Sequence, residues 1–222
     1  MSRLNIFVDE TGEFGFNKRS SRLYGVSMVF HEQKNDITKE IELLEYRLGV
    51  LNFHGMIHMG DLVNGHGEFE GLSISERRKY YNILYRFAAR IKAKYCTIIV
   101  DKQKCPNHQL LNQSIKNQIS QLLFSNRDFF SRFERVIVYY DGGQRSLNKV
   151  IQQTVLRQLG AEQRVEFNHV EKKLFQVADM LTYVDKLIYK YNKRMKPSMT
   201  ECAFFTSKQI RTIINELKSH RL

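Results

Sequence analysis

The sequence predicts an α/β fold, a mixed β-sheet flanked by helices, and three observations carry that prediction. Two short apolar runs, Leu4 to Val8 and Leu23 to Phe30, open the chain and read as an antiparallel hairpin with a long, polar, Gly-containing connection. Single strand-like runs then alternate with amphipathic helical patterns, so parallel pairing is expected later in the sheet. No repeat, low-complexity tract or linker interrupts the 222 residues, and 42% hydrophobic content can build one core. Residues 1–222 are therefore expected to form a single domain.

The elements follow in order. Asp36 to Leu51 reads as a helix, with Asp36 as N-cap and Ile37, Ile41, Leu44 and Leu48 on one face. Residues 52–72 hold five Gly and three His and read as an irregular loop. Ser73-Ile74-Ser75-Glu76 matches a capping box and opens a helix to about Lys94. Tyr95 to Val100 is a compact strand, followed by a helical pattern from about Gln109 to Arg127. Arg135 to Tyr140 is the next strand, and Leu147 to Leu159 the next helix, stopped by Gly160. Val165 to Val170 predicts a short alternating strand. Lys173 to about Arg194 is the longest amphipathic helix, and after a break at Pro197 a last helix runs near Ser207 to Lys218.

Charge narrows the partners. The chain carries 35 Lys and Arg against 23 Asp and Glu, a formal +12 with a pI near 9.6. Nine of those cations and only two acids fall within 186–222, which reads as a basic helical C-terminal extension. Such an excess suits a polyanion, with nucleic acid (DNA or RNA) the commonest, although a solvated basic face is the plainer alternative. No apolar run is long enough for a membrane span, and the N-terminal residues show no secretory apolar region. Three scattered cysteines without a C-x-x-C pair argue against a disulfide framework and for a reducing, cytoplasmic setting.

The chemistry is carried by acids placed within apolar elements. Asp9 and Glu10 end the first strand in Ile6-Phe7-Val8-Asp9-Glu10-Thr11-Gly12, and Asp141 ends another in Val136-Ile137-Val138-Tyr139-Tyr140-Asp141-Gly142-Gly143. Asp179 lies inside Leu174-Phe175-Gln176-Val177-Ala178-Asp179-Met180-Leu181. Buried unpaired carboxylates are costly, so three delivered from separate elements suit hard divalent cations such as Mg2+ or Mn2+. Each has a plainer alternative: a strand-exit pair for Asp9 and Glu10, a Gly-Gly turn for Asp141, a cap on a neighbouring element for Asp179. Neighbouring strand residues point to opposite faces, so Asp9 is the stronger metal candidate and Glu10 the weaker.

The helix around Asp179 shows an apolar stripe, Leu174, Val177, Leu181, Val184 and Ile188. A second line holds Lys172, Gln176, Asp179, Tyr183 and Lys186 on one side. An acid flanked by an amide, a phenol and two ammonium groups reads as a phosphate-facing strip, with a solvated polar face as the alternative. Lys190, Lys193, Arg194 and Lys196 continue the charge, with Tyr189 and Tyr191 interleaved as stacking candidates. His58 is a candidate proton shuttle or phosphate contact and Asp61 a further acid. His54 and His58 lack the additional ligands of a zinc site. Phosphate-loop, dinucleotide and nucleophile-elbow motifs are absent from the sequence.

These motifs together resemble one family. Asp9-Glu10-Thr11-Gly12-Glu13-Phe14, Ile57-His58-Met59-Gly60-Asp61-Leu62, Tyr140-Asp141 and Gln176-Val177-Ala178-Asp179-Met180-Leu181 look like those of domain-of-unknown-function family 3800. That family is regarded as ribonuclease H-like in fold and suspected of nuclease activity. The resemblance spans residues 9 to 181 and implies an acidic cluster of Asp9, Asp141 and Asp179, with Glu10 as a fourth acid. Position 13 departs from it, because the family commonly has Asp where this chain has Glu13.

The leading expectation is a metal-dependent phosphodiesterase acting on nucleic acid. Asp9, Asp141 and Asp179 would bind metal, Glu10 or His58 would assist proton transfer, and Gln176, Tyr183, Lys186, Lys190, Lys193 and Arg194 would contact the nucleic acid. The alternative is a non-catalytic nucleic-acid-binding module on the same fold. A third is a protein-interaction role, such as one half of a bacterial defence or toxin pair, for which the sequence holds no partner motif.

Overall fold

A computed structural model describes residues 2–16 and 20–222, so the middle of the first connection, 17–19, lies outside the described residues. The expected mixed sheet is present. Strands β1 (Arg3–Thr11), β2 (Leu23–Glu32), β3 (Ala93–Asp101), β4 (Arg135–Tyr139) and β5 (Glu162–Arg164) lie in the order β3-β2-β1-β4-β5. β2 runs antiparallel to both β1 and β3, whereas β1, β4 and β5 are mutually parallel. The opening hairpin and the later parallel strands thus meet on β1, which occupies the centre.

Alternation along β1 sorts the core into two layers. Phe7 packs with Val29, Ile137 and Tyr139 beneath α1 (Thr38–Gly49), α3 (Ile74–Arg90) and α8 (His169–Asn192). Leu4, Ile6 and Val8 pack on the opposite face with Val136, Val138 and Tyr140. There they lie against α4 (His108–Ser125), with α5 (Arg127–Phe130) beside it, and against α6 (Arg145–Ile151). A π-helical turn at Gln152–Leu156 and α7 (Arg157–Leu159) prolong α6. The capping box at Ser73 and Glu76 is formed in both directions, and Gly160 ends the α6–α7 run in the left-handed region at φ +59°.

Three expectations are corrected. Residues 52–72 are not wholly irregular: Met59, Leu62 and Val63 are buried on a short helix, α2 (Met59–Asn64), and Gly67–Phe69 forms a 3-10 turn. The glycines mark the ends of this helix rather than the lack of one. Gly65 terminates it at φ +73°, and Arg77 Nη1 donates to the Leu62 and Val63 carbonyls at 2.7 and 2.6 Å.

The expected strand Val165 to Val170 is also absent. β5 precedes it, because pairing with β4 stops at Tyr139↔Arg164. Phe167 instead packs against the Tyr139 and Phe175 rings, and Val165 is exposed.

Finally, 186–222 is no extension. Lys186 is buried in α8, while α9 (Met199–Phe204) and α10 (Ser207–Leu217) turn Phe204, Ile210, Ile213 and Leu217 back into the core. Arg221 pairs with the buried Asp185 of α8 at 2.5 Å.

Candidate functional site

Two strand ends deliver the first acids. Asp9 follows Val8 and so lies on the α8 side of β1, whereas Glu10 turns to the other side. There its Oε1 accepts the Tyr140 hydroxyl at 3.2 Å. Pleating therefore divides the pair as expected, although Glu10 still feels Asp9 and Asp141. Gly12 lets the strand end turn away: its φ is +94°, and a Cβ there would sit 2.6 Å from the Leu23 carbonyl oxygen. On the parallel neighbour β4, Phe7↔Tyr139 is the last pair, and Asp141 lies two residues past it, close enough to act on both Asp9 and Glu10. One oxygen of Asp141 accepts the Gly143 N–H at 2.9 Å, which is the turn-forming role its Gly-Gly neighbours suggest.

The third acid comes from above. α8 buries nearly its whole circumference, and Asp179, Thr182 and Lys186 share the face set over the end of β1. Thr182 Oγ1 lies 3.4 Å from the Asp9 carbonyl oxygen, and Lys186 Nζ donates to Thr11 Oγ1 at 2.9 Å. Asp179 Oδ2 accepts the Met59 N–H at 2.8 Å, and Gln176 Oε1 accepts the Ile57 N–H at 2.9 Å. Two of the sequence motifs are thus joined to each other, with Asp179 capping α2. Next to that bond, the half-exposed His58 places Nδ1 3.8 Å from Asp179 Oδ2. Asp61, on α2, is exposed and acts on Asp179 only weakly. His54 stands on an irregular stretch, so the helical spacing a shared His54–His58 ligand pair would need is missing.

The electrostatics follow from this crowding. Burial first, then Asp179, Glu10 and Asp141, hold the Asp9 carboxyl well above the usual carboxylate range. Burial and Asp141 push Glu10 up to about 7. Burial also raises Asp179 to about 6, although the Met59 N–H, His58 and Lys186 counter it. Lys186 moves the other way: burial and Lys190 lower it to about 8. Burial and mutual repulsion therefore favour the protonated forms of these acids, a penalty that a bound cation would relieve.

The donor set suits a hard cation. Every candidate ligand is a carboxylate oxygen, and Glu10 Oε2 is buried without a hydrogen-bond partner. The acids reach one another electrostatically yet do not close into a shell. Among the described residues no three His, Cys, Asp or Glu side chains gather tightly enough to enclose a metal ion.

Several expected nucleic-acid contacts are corrected. Of the line from Lys172 to Lys186 only Lys172 is exposed, because α2 and α3 pack on α8 and Phe205, just after α9, packs on Tyr183. Gln176 is 2% exposed and holds Ile57, and Tyr183 is 7% exposed and packs beside Phe205. Lys186 is buried with its ammonium 5.1 Å from the Tyr183 ring centre. Lys190 binds both Glu201 carboxylate oxygens at 2.7 Å, so it is engaged. Lys193 and Arg194 are exposed, Tyr189 is half-buried, and Tyr191 accepts from Arg211.

Sequence reasoning missed the supports. Tyr140, Gln144 and Tyr24 connect Glu10 to the Gly12 carbonyl through a chain of hydrogen bonds. Thr11 and Arg77 likewise act across distant segments, where no local pattern announces them.

These features define an α/β protein whose mixed sheet carries an acidic cluster at one end. Among known proteins, no family model matches the chain, and neither a curated protein nor a solved structure does.

Proposed function

We propose that the protein is a divalent-metal-dependent phosphodiesterase acting on nucleic acid, built on a ribonuclease H-like sheet. The fold reading is supported by a central β1 with an antiparallel partner on one side and a parallel one on the other. The resemblance to domain-of-unknown-function family 3800 rests on the four motifs, two of which, 57–62 and 176–181, bond directly to each other.

The observation that carries the reading is Asp9. It is a desolvated carboxylate, and every charge acting on it is another acid. Asp9, Asp141 and Asp179 would hold Mg2+ or Mn2+. Such an ion supplies neutralisation of the phosphodiester and activation of the attacking water. Asp141 is exposed beside Gly142 and Gly143, so its side chain is the freest to adjust. Glu10, raised to about 7, exchanges a proton near neutral pH. His58, half exposed beside Asp179, is placed to touch phosphate or carry a proton. Lys186 brings positive charge to the inner wall and keeps Thr11 in place. Cys96, Cys105 and Cys202 are unpaired, in keeping with a reducing cytoplasm.

One observation favours a second reading, the non-catalytic nucleic-acid-binding module. Asp141 closes a turn and Asp179 caps α2, so both acids already have structural duties. Calorimetric titration with Mn2+ separates the two. The phosphodiesterase reading expects saturable binding that is lost in Asp9→Asn with secondary structure unchanged. Absence of binding, or equal binding by Asp9→Asn, would leave the module.

A further inference from the structure

We infer that the groove at the C-terminal end of α8 binds single-stranded nucleic acid and leads it toward the acidic cluster, an inference that rests on the function proposed above. The groove has a volume of about 860 Å3, and Arg22, Lys104, Tyr189, Lys193, Arg194 and Lys196 line it. The acid of the groove, Asp101, is already neutralised: Arg22 holds it through Nε at 2.9 Å and Nη2 at 2.5 Å. Lys104, Lys193, Arg194 and Lys196 make no ion pair among the described residues, so their charge is available to phosphates.

Arg194 is the independent sign of function. It occupies the left-handed region at φ +53°, immediately after α8, where the Met195 N–H returns to the Lys190 carbonyl at 2.8 Å. Glycine is the unstrained residue at such a helix end. An arginine there carries backbone strain at a residue that lines the groove, as strained residues do at binding sites.

The groove opens at the same end of the sheet as the acids: its wall residues Leu23 and Asp101 are a β2–β3 pair, and Leu23 is two residues from Gly25, the β2 partner of Thr11. Lys190 also lies on its wall. Asp179 and Lys190 are eleven residues apart on one helix, roughly 16 Å along its axis. That span is a few nucleotides. The choice of a single strand comes from Tyr189, a half-buried aromatic residue of the wall and the stacking partner we assign to an unpaired base.

The test is fluorescence anisotropy in EDTA with short labelled DNA and RNA, each as a single strand and as a duplex. Without divalent metal, binding is read apart from cleavage. The inference expects single strands to bind roughly tenfold or more tightly than duplexes, with the DNA and RNA arms showing which sugar is preferred. The Lys193→Gln/Lys196→Gln variant should bind more weakly and with a shallower salt dependence. Arg194→Gly should raise the melting temperature by roughly 2–4 °C while weakening single-strand binding several-fold, a pairing that a purely structural residue would not give. Unchanged binding by these variants, or equal affinity for duplexes, would overturn the groove whatever the protein cleaves. Single-strand binding lost with the groove variants would uphold it even if no cleavage is found.

Discussion

Asp179 Oδ2 accepts the Met59 N–H at 2.8 Å while the same carboxyl faces Asp9 across the end of β1. One side chain thus holds the α2 segment and acts electrostatically on Asp9. A substitution that spares the hydrogen bond should separate the two duties. Asp179→Asn and Asp179→Ala both remove the ionisable carboxyl, but only Asn keeps an oxygen acceptor for Met59. Asp179→Ala should therefore be about 1 kcal/mol less stable than Asp179→Asn, read by urea denaturation at one pH. Equal stability of the two variants would contradict the capping role.

Gln176 offers a similar distinction, because it was expected at a nucleic-acid surface and is instead 2% exposed. Gln176→Leu removes the acceptor of the buried Ile57 N–H and should cost about 1–3 kcal/mol in urea denaturation. Folded Gln176→Leu should retain wild-type affinity for single strands in EDTA. Full stability combined with lost binding would restore the surface reading.

The acids also make stability depend on pH. Glu10 and Asp179 bind protons more tightly when folded, with values near 7 and 6 against the ordinary 4.5 and 3.8. Between about pH 4 and 7 the folded state therefore holds more protons, and these groups cost stability as pH rises. His31, lowered by burial, works in the opposite direction on the acid side, and Lys186 acts only above about pH 8. Comparison with Glu10→Gln isolates one contribution. In EDTA the variant should gain on the order of 2 kcal/mol over the wild type between pH 5 and pH 8. Parallel melting profiles across that range would contradict the raised Glu10.

Much of this was legible in the sequence because it is local. The β1–β2 hairpin, the Ser73–Glu76 capping box and the pleated division of Asp9 from Glu10 follow from short-range pattern. What remained hidden depends on partners far along the chain. α8 has a polar line that 3.6-residue periodicity assigns to solvent, yet the α2 segment covers Gln176 and Phe205 covers Tyr183, so both are interior residues. The edge strand β5 is three polar residues long and has no apolar alternation to read. Likewise, the Lys190–Glu201 pair withdraws a charge that composition alone leaves free.

The central claim is that the carboxylates gathered over β1 perform metal-dependent cleavage of nucleic acid. Its most direct test incubates labelled single- and double-stranded DNA and RNA with Mg2+ or Mn2+ and follows product formation by wild type, Asp9→Asn and Asp179→Asn. Cleavage of at least one substrate is expected, abolished by EDTA and reduced by roughly a hundredfold or more in both variants. Absence of cleavage under every condition, or cleavage by the variants at the wild-type rate, would contradict it.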